Sequence, residues 1–203
     1  MPFEYGGVTP VRIVDTTDLQ ASEKMSMEKG KLVKSTGGVC LAMVADWILK
    51  CQQSPLGIGV TSASQLKSGQ SLAFAQTAYS RDVFSKPGGT EAEERTAFLV
   101  SQGLTVVGEV LRSKKTGVGD AHLQRIAIDC VGLTGYAVIS ILGKESAHAF
   151  GFRQRSGLVQ FLDPNLGILG FQSANDFSRW FPSFVTDNYE HLMQAADLAR
   201  VAS

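Results

Sequence analysis

The chain has 203 residues, 44% hydrophobic and 19% charged, which fits one soluble domain able to bury a substantial core. Its 19 basic and 19 acidic residues cancel, so no positive excess exists to neutralise nucleic-acid phosphates or an anionic bilayer, and no run approaches the roughly 20 apolar residues of a membrane span. Cys40, Cys51 and Cys130 lack metal-ligand spacing, so no disulfide framework, zinc site or other cofactor is expected.

Residues 1–35 are polar and weakly periodic, without the basic region and apolar run of a secretory signal, and read as a loosely attached arm or short helix. The basic patches Lys31 to Lys34 and Arg112 to Lys115 read as solvated loop charge. Gly37-Gly38 then breaks the chain. From Cys40, apolar residues at 40, 43, 44, 47 and 48 follow the spacing of one helix face, with Trp47 in the core and Asp46 a solvated charge. Ser64 to Ser80 reads as a second helix. Thr90 with Glu93 forms a capping box for a third, which ends at Gly103.

Strand patterns follow. Leu104 to Leu111 reads as a strand, Leu123 to Val131 as a helix, and the Val/Ile-rich Gly135 to Leu142 as a central strand. His148 to Arg153 and Leu158 to Leu162 form a hairpin through Gln154-Arg155-Ser156-Gly157, and Ile168 to Phe171 a further strand. Asn175 to Phe184 and Tyr189 to Val201 read as helices. Helices first and a mostly antiparallel sheet afterwards make an α+β domain over residues 36–203, with 1–35 as its N-terminal arm.

Three residues carry chemistry. A thiol in the first turn of a helix meets positive partial charge and free N–H groups, which favour its thiolate; Cys40 has that place, although cysteine is also a common small core residue. His148 lies between small neighbours at the start of a strand, which suits an imidazole facing a cleft. His122 and His191 fit ordinary roles better. Asp163 ends an apolar strand. If residue 153 pairs with 158, His148 lies opposite Asp163, about 5 Å away, so the carboxylate reaches the imidazole; Asp163-Pro164 also suits a plain turn.

The segments Gly38-Val39-Cys40 with Trp47-Ile48, then His148-Ala149-Phe150, then Phe161 to Gly167, resemble the YopT/AvrPphB family of papain-like effector proteases. Phe177 and Trp180 after the Asp strand fit as well. Bacteriocin-processing peptidase domains resemble it too. The resemblance implies a papain-like fold whose N-terminal helical part carries the nucleophile and packs on the sheet. It also implies a bacterial effector or toxin with a Cys40–His148–Asp163 triad, made in the bacterial cytoplasm and secreted or injected into a target cell. Its partners would be a protein or peptide substrate and a chaperone or immunity protein. Papain-like enzymes place Gln or Asn five or six residues before the cysteine to hold the oxyanion. Here those positions are Lys34 and Ser35, so Ser35 or Thr36 would assist the backbone instead. Two other outcomes stay open: a glutamine deamidase or transglutaminase using the same triad, and a non-catalytic papain-like binding module.

Overall fold

The computed structural model describes residues 3–21, 26–28, 31–33, 39–54, 57–67, 71–76, 91–112, 118–143, 146–155 and 157–203. The strands are β1 (Val11–Val14), β2 (Ser26–Glu28), β3 (Lys31–Val33), β4 (Val106–Arg112), β5 (Gly135–Leu142), β6 (Ala147–Arg155), β7 (Leu158–Asp163), β8 (Gly167–Phe171) and β9 (Ala195–Val201). The helices are α1 (Thr17–Ala21), α2 (Cys40–Gln53), α3 (71–76), α4 (Glu91–Ser101), α5 (Asp120–Val131) and α6 (Ala174–Tyr189). Seven strands form one antiparallel sheet in the order β1-β8-β7-β6-β5-β9-β4, and β2 pairs with β3 alone. The arrangement is α+β, as the element order implied.

Both faces of the sheet are covered, which explains why β5 is apolar at consecutive positions. Tyr136 and Val138 join a core with α2, α3 and α4, while Ala137, Ile139 and Ile141 join another with α5 and α6. The second core is aromatic. Phe177, Trp180, Phe181 and Phe184 of α6 pack on Phe150, Phe152 and Phe161 of β6 and β7. On the other face, Trp47 of α2 is fully buried against the backbone of Gly151 in β6, where a β-carbon would come within 2.6 Å of the indole.

Several elements differ from the sequence expectation. Residues 189–201, expected to be helical, form no continuous helix. Only Tyr189 continues α6; a 3-10 turn follows over Glu190–Leu192, and residues 195–201 are strand β9 between β5 and β4. Small side chains at Ala196 and Ala199 fit a slot closed on both faces, and tertiary pairing outweighs a helix preference of a few tenths of a kcal/mol per residue. The β6–β7 turn is tighter than expected: Arg155 pairs with Leu158, so the register is two residues out. The expected helix over 64–80 appears as a 3-10 turn at Ala63–Gln65 and as α3; its remaining residues, and Thr90 of the capping box, lie outside the described residues. Part of the expected arm is built into the domain. β1 pairs with β8 as the edge strand, Tyr5 packs edge-on against Trp180, and the Phe3 carbonyl accepts from the Trp180 indole at 2.8 Å.

Asp46 is not a solvated charge. It is 3% exposed and accepts the backbone N–H of Lys67 at 2.8 Å, with the Lys67 ammonium 3.7 Å away. Asp46→Ala leaves that N–H without its acceptor, so the expected loss is about 1–2 kcal/mol, read as a lower midpoint in urea denaturation.

Candidate active site

Cys40 is the first residue of α2 and is 7% exposed. The first turn closes where Met43 N–H donates to the Val39 carbonyl at 2.9 Å, which leaves the earlier N–H groups for other partners. That of Ala42 donates to the side-chain oxygen of Gln76, on α3, at 3.1 Å. Burial opposes ionisation of the Cys40 thiol. The charge and hydrogen bond of His148, and the N–H groups of Ala149 and Leu41, outweigh it, and the thiol sits below its ordinary pKa. Cys51 and Cys130 behave oppositely, because burial raises both.

His148 is the second residue of β6 and is 7% exposed. Its Nε2 lies 3.0 Å from Oδ1 of Asp163, which leaves Nδ1 as the other ring nitrogen for the thiol. Burial disfavours the imidazolium, but the Cys40 charge, the hydrogen bonds to Asp163 and to Cys40, and the Asp163 charge more than compensate and push its pKa up. The two opposite shifts share one cause, the attraction between the groups, which favours the charged form of each.

Asp163 ends β7 and is fully buried. Its Oδ1 also accepts the backbone N–H of Asn165 at 2.9 Å, and its Oδ2 accepts the hydroxyl of Tyr189 at 2.7 Å. The turn expected at Asp163-Pro164 forms around this carboxylate, with Leu166 N–H donating to the Asp163 carbonyl at 3.0 Å. Thr16, fully buried, donates its hydroxyl to the Pro164 carbonyl at 2.9 Å and ties the turn to the N-terminal segment. Gly167 closes the turn at φ +126°, where a β-carbon would collide with the Val14 carbonyl 2.0 Å away.

The structure therefore brings Cys40, His148 and Asp163 together. Because Phe152 pairs with Phe161, continuing the register sets Asp163 against Phe150, one pleat from His148. A shift of two residues keeps both side chains on one face, so the contact forms diagonally instead of directly across. Ser35 and Thr36 lie outside the described residues. Cys40 and His148 open onto a cleft of about 450 Å³, walled also by Asn165, Asn188, His191 and Leu192. His191 belongs to this wall and not to the ordinary helix expected for it. Tyr189 escaped the sequence analysis because nothing local distinguishes it from a core aromatic; its partners come from residues 148, 163 and 165. Among the described residues no three His, Cys, Asp or Glu side chains cluster to hold a metal, and no helix is long and apolar enough to cross a membrane.

A peptidase family profile, described as Yersinia/Haemophilus virulence surface antigen, matches residues 14–197. The fold is similar to that of the Pseudomonas avirulence protein AvrPphB, at 19% identity over 81% of this chain and 92% of that one, with a TM-score of 0.62. A looser likeness, with a TM-score of 0.44 and 12% identity, joins 95% of this chain to 53% of PatoxP, a cysteine protease-like domain of the Photorhabdus asymbiotica toxin PaTox. No curated protein sequence matches the chain. The expected papain-like α+β fold is the fold that the likeness to AvrPphB supports.

Proposed function

The chain belongs to the peptidase family of the Yersinia/Haemophilus virulence surface antigen, and on that premise we propose that it is a cysteine endopeptidase whose nucleophile, base and orienting carboxylate are Cys40, His148 and Asp163. The observation that carries this is the geometry: Cys40 at the start of α2 and His148 open onto one cleft, and the imidazole's Nε2 sits 3.0 Å from the buried Asp163 carboxylate; beside that imidazole the thiol is held below its ordinary pKa. A buried cysteine without such a partner shifts the other way, as Cys130 does.

The thiolate attacks the scissile carbonyl carbon and forms a tetrahedral oxyanion. The Cys40 backbone N–H, with Ser35 or Thr36, would hold that charge. His148 gives its proton to the leaving amine as the C–N bond breaks, leaving a thioester. It then takes a proton from water, whose oxygen displaces the sulfur and releases the acid. Asp163 keeps the imidazole oriented and balances its charge throughout. In its biological setting we place the protein as a secreted bacterial effector that cuts a target-cell protein, with a chaperone or immunity protein restraining it before delivery.

The test is incubation of a eukaryotic cell lysate with wild type and with Cys40→Ser, followed by sequencing of new peptide N-termini. New termini that depend on Cys40 are the expected result. Glutamine converted to glutamate, with ammonia released and no chain cut, would transfer the site to deamidation. Identical lysates would leave a binding module.

A further inference from the structure

The hydrogen-bond chain of the site does not stop at Asp163. Tyr189, the last residue of α6, reaches Oδ2 of the carboxylate with its hydroxyl at 2.7 Å and lays its ring on the imidazole of His148, with centroids 4.8 Å apart and planes 16° from parallel. The Asn165 side-chain amide donates to the same hydroxyl at 3.0 Å, which directs the hydroxyl proton toward the carboxylate. Among the described residues Tyr189 is the donor to Oδ2, while Oδ1 serves His148 and Asn165. The ring is itself held, edge-on, by Phe150 at 5.2 Å and Phe184 at 5.9 Å.

We propose that Tyr189 is a positioning residue of this site: its hydroxyl fixes the rotation of Asp163, and its ring fixes the plane of His148, so that the imidazole presents Nδ1 to Cys40. This rests on the endopeptidase reading. Two restraints act on one imidazole. A carboxylate bound through Oδ1 alone is free to rotate about its own axis, and an imidazole with one open face is free to tilt. Tyr189 removes both freedoms and closes one face of the ring to water. Burial, the Asp163 charge and the hydrogen bond to Asp163 push the Tyr189 pKa far up, so the hydroxyl keeps its proton across the working range. Asn165 completes the arrangement, since it donates from its backbone to Asp163 and from its side chain to Tyr189.

The experiment compares wild type, Tyr189→Phe and Tyr189→Leu by the rate of iodoacetamide labelling of Cys40 against pH, with a thermal melt on each. Phenylalanine keeps the stack and loses the hydroxyl; leucine loses both. The expected order of labelling midpoints is wild type lowest, then Phe, then Leu. Each step should be about one pH unit, or roughly tenfold in rate at pH 6. The Phe variant should melt close to wild type. A Phe variant that melts like wild type and keeps the wild-type midpoint overturns the hydroxyl's role, and a Leu variant that also keeps it overturns the whole proposal. A midpoint that rises only together with a collapsed melt assigns Tyr189 to the core and overturns it too. A wild-type midpoint at the ordinary thiol value instead sinks the endopeptidase reading itself.

Discussion

Replacing His148 by alanine moves the labelling midpoint of Cys40 from below the ordinary thiol value of about 8.5 to above it. The sign follows from the opposing forces on the sulfur. Burial raises the thiol pKa, and the largest influence lowering it is the charge of His148. Removing the imidazole removes that charge and its hydrogen bond and leaves the burial, so the thiol crosses to the side where Cys51 and Cys130 already stand. Below both midpoints the labelling rate falls roughly tenfold for each pH unit separating them. Mass spectrometry of the three cysteine peptides reads this directly, with Cys51 and Cys130 as slow internal references. His122→Ala is the control, since His122 contacts the Ala196 carbonyl at 3.1 Å and not the thiol. On the proposed mechanism, turnover in His148→Ala should drop by at least about 10³-fold, because one residue both takes the thiol proton and gives it to the leaving group. In the wild type the reactive pair exists between two limits. It is lost as pH falls through the lowered value of Cys40 and as pH rises through the raised value of His148, so the rate profile is a bell extended on both sides. A wild-type thiol with an ordinary midpoint, unchanged by the substitution, would refute the pairing.

Gly151→Ala should damage stability and chemistry together. The new methyl would lie 2.6 Å and 2.7 Å from two carbons of the Trp47 ring and 3.3 Å from a Val44 methyl. Trp47 is fully buried and has no space to retreat. Overpacking of this kind costs about 1–3 kcal/mol. For a chain of this size that is roughly 3–10 °C in Tm. The position matters because Gly151 is on the strand that carries His148 and Trp47 is on the helix that begins with Cys40. The indole resting on the glycine sets the distance between the helix that begins with Cys40 and the strand that carries His148. Pushing α2 outward separates thiol from imidazole, so the Cys40 labelling midpoint rises along with the fall in Tm. A melt lowered with an unchanged midpoint would mean the strain is absorbed away from the N-terminal end of α2.

Much of this architecture is written locally. The apolar spacing from Cys40 to Ile48 needs only one buried helix face, and the Val/Ile run of β5 follows from a strand covered on both sides. The His148–Asp163 contact was visible for a subtler reason. Side chains alternate with period two along a strand, so an even error in register leaves them on the same face. What stayed hidden depends on distant partners. Asp46 reads as exposed until Lys67 supplies its N–H, and Tyr189 reads as core until Asp163 and His148 surround it. Residues 195–201 carry helix-forming side chains, and only the gap between β5 and β4 makes them a strand.

That gap also governs timing. β9 is the last of the described strands in chain order, yet it sits inside the sheet between β5 and β4, and Val106 of β4 pairs with Val201. The N-terminal strand likewise has a distant partner, because Val11 pairs with Gly170. Contacts this far apart in sequence make assembly slow. A growing chain carries Cys40 long before it carries His148 and Asp163, and for that interval the sulfur is an ordinary thiol with no imidazole to ionise it. The order of the elements thus separates the making of the thiol from the making of the two groups that stand beside it.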